Sequence, residues 1–584
     1  MLLVFAAVVV AAVLVTLIIA YRRHKAAASI AAMNRVNAQL EQQTRMYNER
    51  FKAAATQVGD GRAATQLAGL RAMAGLADDW PEHRQACVDA LCAYLRMPRP
   101  PDPGRGAAPE DQLKFDDVRY TVIGIITAHL RLSAKVSWRS LDLDFTGAVF
   151  DGGDFSGAGF SGGEISFSGA RFSGGRVSFA GAEFSGSQVS FAGAEFSGEA
   201  SFAGAEFSGG EVSLAGAKFS GGEVSLDRAR FSGGRVSFAR AQFYGSRVSF
   251  ADAEFSGSQV SFGGAEFSGS EVDFADAEFS GGHVDFRRGR FSGGEVSFRG
   301  AGFSGGEVSF GRTQFSGGQA GQGFAGFAGA DFSGGDISFS GAEFSGSQVG
   351  FGGGMFSGAQ VGFDGAEFSA GKVSFADAGF SGGEVNYRGA RFSGGEVSFG
   401  SAGLSGGEVS FSGARFCGGE ISFGFAGLSG GQLSFNDAEF SGGLVDFGSA
   451  RFSGARVSFI LAKFSGGQVS FILSRFSGGQ ASFNGAKFSS GLVDFGSARF
   501  SGGEIDFFGA EFSGGVVSFD GAKFTSQVSF LLAKFSGGEV DFSKVADWSR
   551  QPQFDGGGLE PSGVRLPGGS DPSGGSAGPP PDGS

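Results

Sequence analysis

Histidine, cysteine and serine are the side chains through which this chain could act as a hydrolase, a metalloprotein or a thiol enzyme, and their spacing argues against each. A nucleophilic serine needs a base positioned beside it, yet His24, His83, His129 and His283 stand singly among many equivalent serines. Cys87, Cys92 and Cys417 cannot all pair, and none has the close Cys or His neighbour that a zinc site uses. Cys87 and Cys92 lie about 140° apart around a helix, which makes them poor joint ligands. They are expected to be buried free thiols in a reducing compartment. Glycine pairs recur, but without the fixed-offset Asp of calcium-binding solenoid repeats, and no G-x-x-x-x-G-K phosphate loop occurs. Outward positions that mix Ser with Glu, Arg and Lys also lack the Thr rows of an ice-binding face. The sequence thus predicts no catalytic residue, no cofactor, no metal and no enzymatic activity.

The elements that carry these residues are set by an unusual composition. Among 584 residues there are 108 Gly, 69 Phe and 13 Pro, too little Pro for collagen, while an aromatic content of 13% is too high for a disordered chain. A net charge of −13 disfavours a nucleic-acid partner, because phosphate backbones are bound by clustered Lys and Arg.

Residues 143–162 divide into successive fives, LDFTG, AVFDG, GDFSG and AGFSG, centred on Phe145, Phe150, Phe155 and Phe160. Farther on the unit becomes two fives plus two residues, as in VSFAG (177–181), AEFSG (182–186), Ser187, Gln188 and VSFAG again. The extra pair loses one residue between Phe196 and Ala200 and again between Phe524 and Val528, which marks it as a corner loop. Phe315 and Phe332 are separated by one additional five, read as a whole face inserted or lost near 320–329. In a strand, alternate side chains share one side, so V-S-F and A-E-F turn their first and third residues together. Val177, Phe179, Ala182, Phe184, Val189 and Phe191 are therefore expected in the core, with Ser178 and Glu183 facing water, and Ser410 likewise facing water beside a buried Phe411. One twelve-residue unit is too small to enclose Val177, Phe179 and Phe184 at interior packing density, so two units, or 24 residues, are expected per coil. About 400 repeat residues then give about 17 coils and a rod about 80 Å long.

These fives resemble the pentapeptide-repeat family, in which a small residue, a polar residue, Leu or Phe, a small polar residue and Gly recur in order. The resemblance spans roughly residues 141–543 and implies a mainly β fold, a right-handed quadrilateral β-helix whose central Phe and the residue two before it point inward. Glu, Arg or Gln often stands before the central residue where the family favours Asp or Asn. Tyr47, Asn48, Glu49, Arg50 and Phe51, with residues 77–81 and 92–98, further resemble an actinobacterial, membrane-anchored type with a helical N-terminal module.

Residues 1–21 carry no charged side chain and match the thickness of a bilayer core, and Arg22, Arg23, His24 and Lys25 follow at once. That order is the reverse of a cleavable signal and predicts a retained transmembrane helix. By the positive-inside preference, the protein is expected in the cell membrane as a single-pass chain with its C-terminal bulk cytoplasmic. An upstream segment hidden by a mis-called start would leave that side unchanged. Residues 22–58 read as a juxtamembrane helix whose Ile30, Met33, Asn37, Leu40, Thr44, Tyr47 and Phe51 could form a short coiled coil, and so a homo-oligomer, or one face of a monomeric helix. Residues 59–133 form a helical module, in which Asp78 or Asp79 is expected to cap the helix carrying Cys87 and residues 97–109 to form a loop. The solenoid is assigned to 134–543, a C-terminal cap containing Val545, Trp548 and Phe554 to 544–555, and a disordered tail to 556–584.

Two functions fit this architecture. The first is a membrane-tethered scaffold whose cytoplasmic rod presents a surface to an unidentified protein partner. The second, implied by the resemblance, is an acidic DNA-mimicking rod that binds a topoisomerase or another DNA-binding protein. Arg171, Arg176 and Arg235 interrupt a phosphate-like pattern and weigh against the second.

Overall fold

A computed structural model describes residues 1–98, 109–173, 175–185, 188–293, 295–316, 325–346, 348–555 and 563–567. The chain divides into two compact units, Met1–Ile126 with Leu141–Asp144, and Thr127–Ser140 with Phe145–Ser584.

The second unit is a β-solenoid of about 17 turns, with about 24 residues per turn. Each turn has four short strands, and each strand pairs in parallel with its equivalent in the next turn, as Val409 does with Leu433 and Phe392 with Phe416. The strands therefore stack into four faces, named here from the first to the fourth by Phe145, Phe150, Phe155 and Phe160. Two eight-residue strands, Lys463–Ser470 and Lys487–Asp494, continue through the corner between the second and third faces.

Burial follows the two-residue period of a strand. Val177, Phe179, Ala182, Phe184, Val189 and Phe191 are all buried. Phe179 stacks between Phe155 and Phe202 at 5.0 and 4.9 Å, in a column that continues along the third face. Rings of the first and third columns meet edge to face across the axis, as Phe411 and Phe423 do at 6.4 Å and 86°. Aromatic pairs favour both the stacked and the T-shaped arrangement, so one residue type fills the core in two directions. Leu214 and Leu226 replace Phe in the first and third columns of a single turn, and Leu404 and Leu428 do so in the fourth.

The corner after each V-S-F strand needs a left-handed residue. Gly181 and Gly193 supply it with φ of 63° and 64°, and every described non-glycine residue with positive φ, from Arg228 to Leu532, occupies this same position. Its N–H donates to the next turn, as Gly181 does to Ala203 at 2.9 Å, which offsets the conformational cost. At the other type of corner the backbones approach closely: a Cβ on Gly491, which has φ of 93°, would lie 2.4 Å from the carbonyl oxygen of Gly467.

Five expectations are corrected here. The extra pair is not wholly a loop, because its second member opens the next strand, as Glu211 does in Glu211–Ser213. Its shortening does fall at a corner, as expected, since Phe172 pairs with Phe196 and Val177 with Ala200 in continuous ladders. The additional five near 320 adds no face: Phe315 pairs with Phe344 and Phe303 with Phe332 in the same ladders, so the excess lies between Ser316 and Ala325, where residues 317–324 are outside the described set. Ser410 is buried, at 5% exposure, because its hydroxyl packs against the Ser412 hydroxyl at 3.1 Å instead of facing water. Finally, Trp548 and Phe554 do not lie outside the repeat but continue it, Trp548 paired with Phe524 and Phe554 stacked on Phe530 at 5.1 Å. Beyond them Val564 pairs with Val540, so the expected tail contains an ordered strand, Val564–Arg565.

The start of the solenoid unit is closed by Thr127–Ser140. The Thr127 hydroxyl donates to the Asp154 carbonyl at 2.8 Å, and the fully buried Trp138 stacks on His129 at 3.9 Å.

The first unit is helical: α1 Leu2–Val58, α2 Ala63–Asp79, α3 Arg84–Arg96 and α4 Pro109–Leu130, the last crossing into the second unit. α1 joins the apolar stretch and the juxtamembrane segment without a break, and it is long and apolar enough to cross a membrane. Gly69 lets α2 lie close on α1, since a Cβ there would be 2.7 Å from Gln57 Cβ. Neither Asp78 nor Asp79 caps α3. Both end α2, the Asp79 carboxylate accepts from Arg50 at 3.0 Å, and a 3-10 turn, Pro81–His83, leads into α3. The expected loop at 97–109 falls largely outside the described residues.

Candidate interaction surface

The interior repeats one chemistry from turn to turn, whereas the residue just before each inward-pointing strand residue faces outward in most strands and varies, as Glu211 does before Val212. On the second face opposite charges meet at many of these positions, although Glu343 and Glu367, Arg391 and Arg415, and Lys463 and Lys487 are like-charged neighbours. Glu195 lies between Arg171 and Lys218, at 3.4 and 3.3 Å, and Glu439 between Arg415 and Lys463, at 3.5 and 2.9 Å. The Lys463 ammonium, hydrogen-bonded to Glu439, holds that carboxyl below the usual carboxylate range, and Lys487 does the same for Glu511. Opposite charges facing each other across strands stabilise the ladder by roughly 0.2–1 kcal/mol per pair.

The side chains first considered for chemistry are placed differently. His83 packs at a tilt of 41° against Trp80, His129 stacks on Trp138, and His283 Nδ1 lies 3.2 Å from Glu307 on the first face. These three histidines have separate surroundings. The serines after the central Phe share one local role: Ser393, Ser405 and Ser441 each donate to a Phe carbonyl of the preceding turn, at 3.3–3.4 Å. Among the described residues no group of three His, Cys, Asp or Glu side chains could hold a metal.

Cys87 and Cys92 are buried free thiols in α3, and burial pushes them up to about 11 and about 12. Cys417 is free and exposed. At pH 8 a maleimide should therefore label Cys417 in the folded chain while Cys87 and Cys92 stay unmodified until denaturation, as mass spectrometry of the peptides would show.

A family model for pentapeptide repeats, nine copies long, matches residues 179–230. With the four-faced solenoid, that match decides the identity. The chain is a pentapeptide-repeat protein. No curated protein matches it. Within the pentapeptide columns Tyr387 is an exception that sequence reading passed over. It replaces Phe in the first column, is fully buried, and its hydroxyl has no hydrogen-bond partner among the described residues. Tyr387→Phe should remove this uncompensated polar group and raise local stability by about 1 kcal/mol, read as slower hydrogen exchange in that turn.

Proposed function

We propose that this pentapeptide-repeat protein is a non-catalytic, membrane-tethered scaffold whose solenoid presents its outer faces to another protein. The observation that carries the reading is the contrast between a uniform interior of Phe, Val and Ala and outward strand positions that change in charge from turn to turn. Folding requires the first. It does not require the particular order of the second.

The apolar start of α1 supplies the tether, and Arg22, Arg23, His24 and Lys25 directly after it favour a cytoplasmic solenoid. Ile30, Met33 and Leu40 remain exposed in the single chain and would allow a dimer through α1, although Tyr47 at the end of that seam stacks on Trp80 within the chain. Proximity labelling with the intact chain and with a version lacking 143–543 tests the proposal. The intact chain should capture neighbours that the truncated one does not. Identical sets from both would refute it. Imitation of DNA is the weaker reading, since cations interrupt the acidic rows, as Arg230 does between Glu206 and Glu254.

A further inference from the structure

The outward row of the fourth face holds a longer run of one sign than the second face, where like charges meet only two at a time, as Arg391 with Arg415 and Lys463 with Lys487. Arg451, Arg475, Arg499 and Lys523 occupy equivalent positions on four consecutive turns and pair directly in the ladder. Among the described residues, none of the four makes an ion pair with an acid. Like charges directly opposite each other in a sheet are destabilising, so this row costs stability that its own fold does not return. Only at its end does the run meet an acid, Asp547 beside Lys523, and among the described residues no ion pair joins the two.

The other half of the same row has the opposite sign. Glu206, Glu254, Glu278 and Asp331 lie on it, with Arg230 set between Glu206 and Glu254. Glu278 and Asp331 have no cationic partner among the described residues. Between the acidic and basic halves the row is almost stripped of side chains: Met355, then Gly379, Gly403 and Gly427 on successive turns. Glycine in a strand weakens it, and such a site often marks the close approach of another backbone. A Cβ on Gly403 or Gly427 would meet nothing within 4 Å, so these glycines are not required by packing inside the chain.

We propose that the fourth face is a self-complementary docking surface for a second copy of this chain, laid antiparallel about a two-fold axis passing near Met355 and Gly379. An isologous contact of this kind sets the acidic half of each copy against the basic half of the other. Both rows have the same strand-to-strand spacing, and an axis between Met355 and Gly379 sets Arg451, Arg475 and Lys523 of one copy against Glu278, Glu254 and Glu206 of the other, with Arg499 against Arg230 as the one like-charged contact in each half. The glycines let the two sheets approach at the centre. This inference is independent of the protein partner proposed above.

The test is a charge swap in the full chain, purified in detergent and sized by chromatography with light scattering at low salt. One variant carries Arg451→Glu, Arg475→Glu, Arg499→Glu and Lys523→Glu, and the other Glu206→Lys, Glu254→Lys, Glu278→Lys and Asp331→Lys. Wild type is expected to be dimeric, each variant alone monomeric, and an equal mixture dimeric with one copy of each. A milder set, with the four cations changed to Gln, guards against misfolding and should weaken the dimer at least about tenfold. A monomeric wild type would overturn the proposal. So would a dimer that survives both reversals, which would point to α1, or a mixture that stays monomeric.

Discussion

Phe411→Ala is expected to lower the stability of its part of the solenoid by about 3–5 kcal/mol. Phe411 is fully buried, stacked between Tyr387 at 4.7 Å and Phe435 at 4.9 Å, with the rings of Phe399 and Phe423 edge-on at 6.4 Å. Truncation removes all of these contacts at once, and the paired backbones above and below hinder collapse around the cavity. Since each turn contacts mainly its neighbours, the damage should stay local. Limited proteolysis mapped by mass spectrometry should show new cleavage around this turn while distant turns remain protected. Ser410→Ala removes only the hydroxyl contact to Ser412 and should cost about 1 kcal/mol. Equal damage from both substitutions would mean that the rings do not carry the packing.

Trp138→Ala should have an effect of similar size, about 3–5 kcal/mol, at the start of the solenoid. Trp138 is fully buried and its ring is stacked on His129 at 3.9 Å, so the indole holds Thr127–Ser140 in place, while its backbone N–H, which the substitution keeps, donates to the His129 carbonyl at 3.0 Å. Without it the first strands would present an open sheet edge, which favours strand addition by another chain. Hydrogen exchange should accelerate in the first turns but not around Phe411, and association should become concentration-dependent. Unchanged exchange in the first turns would show that this segment is not a cap.

Much of the solenoid was legible because its signal is repeated. Val177, Phe179, Ala182 and Phe184 recur at spacings that a strand period can explain, and the volume of the rings required two units per turn. What was missed depends on contacts between turns. Ser410 looks outward by alternation, yet a neighbouring Ser in the same turn closes over it. Trp548 and Phe554 look foreign to the repeat in sequence, although the strand at Trp548 pairs with that of Phe524 and the Phe554 ring continues a column without the surrounding motif. The additional five residues near 320 read as a face, but the ladders on both sides of them keep register. The charge rows were the least legible feature. Arg451, Arg475, Arg499 and Lys523 become neighbours only once the turn length is fixed.

Cysteine accessibility across two successive turns tests the four-faced solenoid most directly. In a Cys417→Ser background, single cysteines at Glu408, Val409, Ala414 and Arg415, and at their equivalents Gln432, Leu433, Ala438 and Glu439, would be exposed to a water-soluble maleimide under native conditions. The account predicts rapid labelling at Glu408, Arg415, Gln432 and Glu439 and protection at Val409, Ala414, Leu433 and Ala438, because the latter are buried. Rapid labelling at Val409 and Leu433 with protection at Glu408 and Gln432 would contradict it, since a shift of one residue reverses every inward and outward assignment.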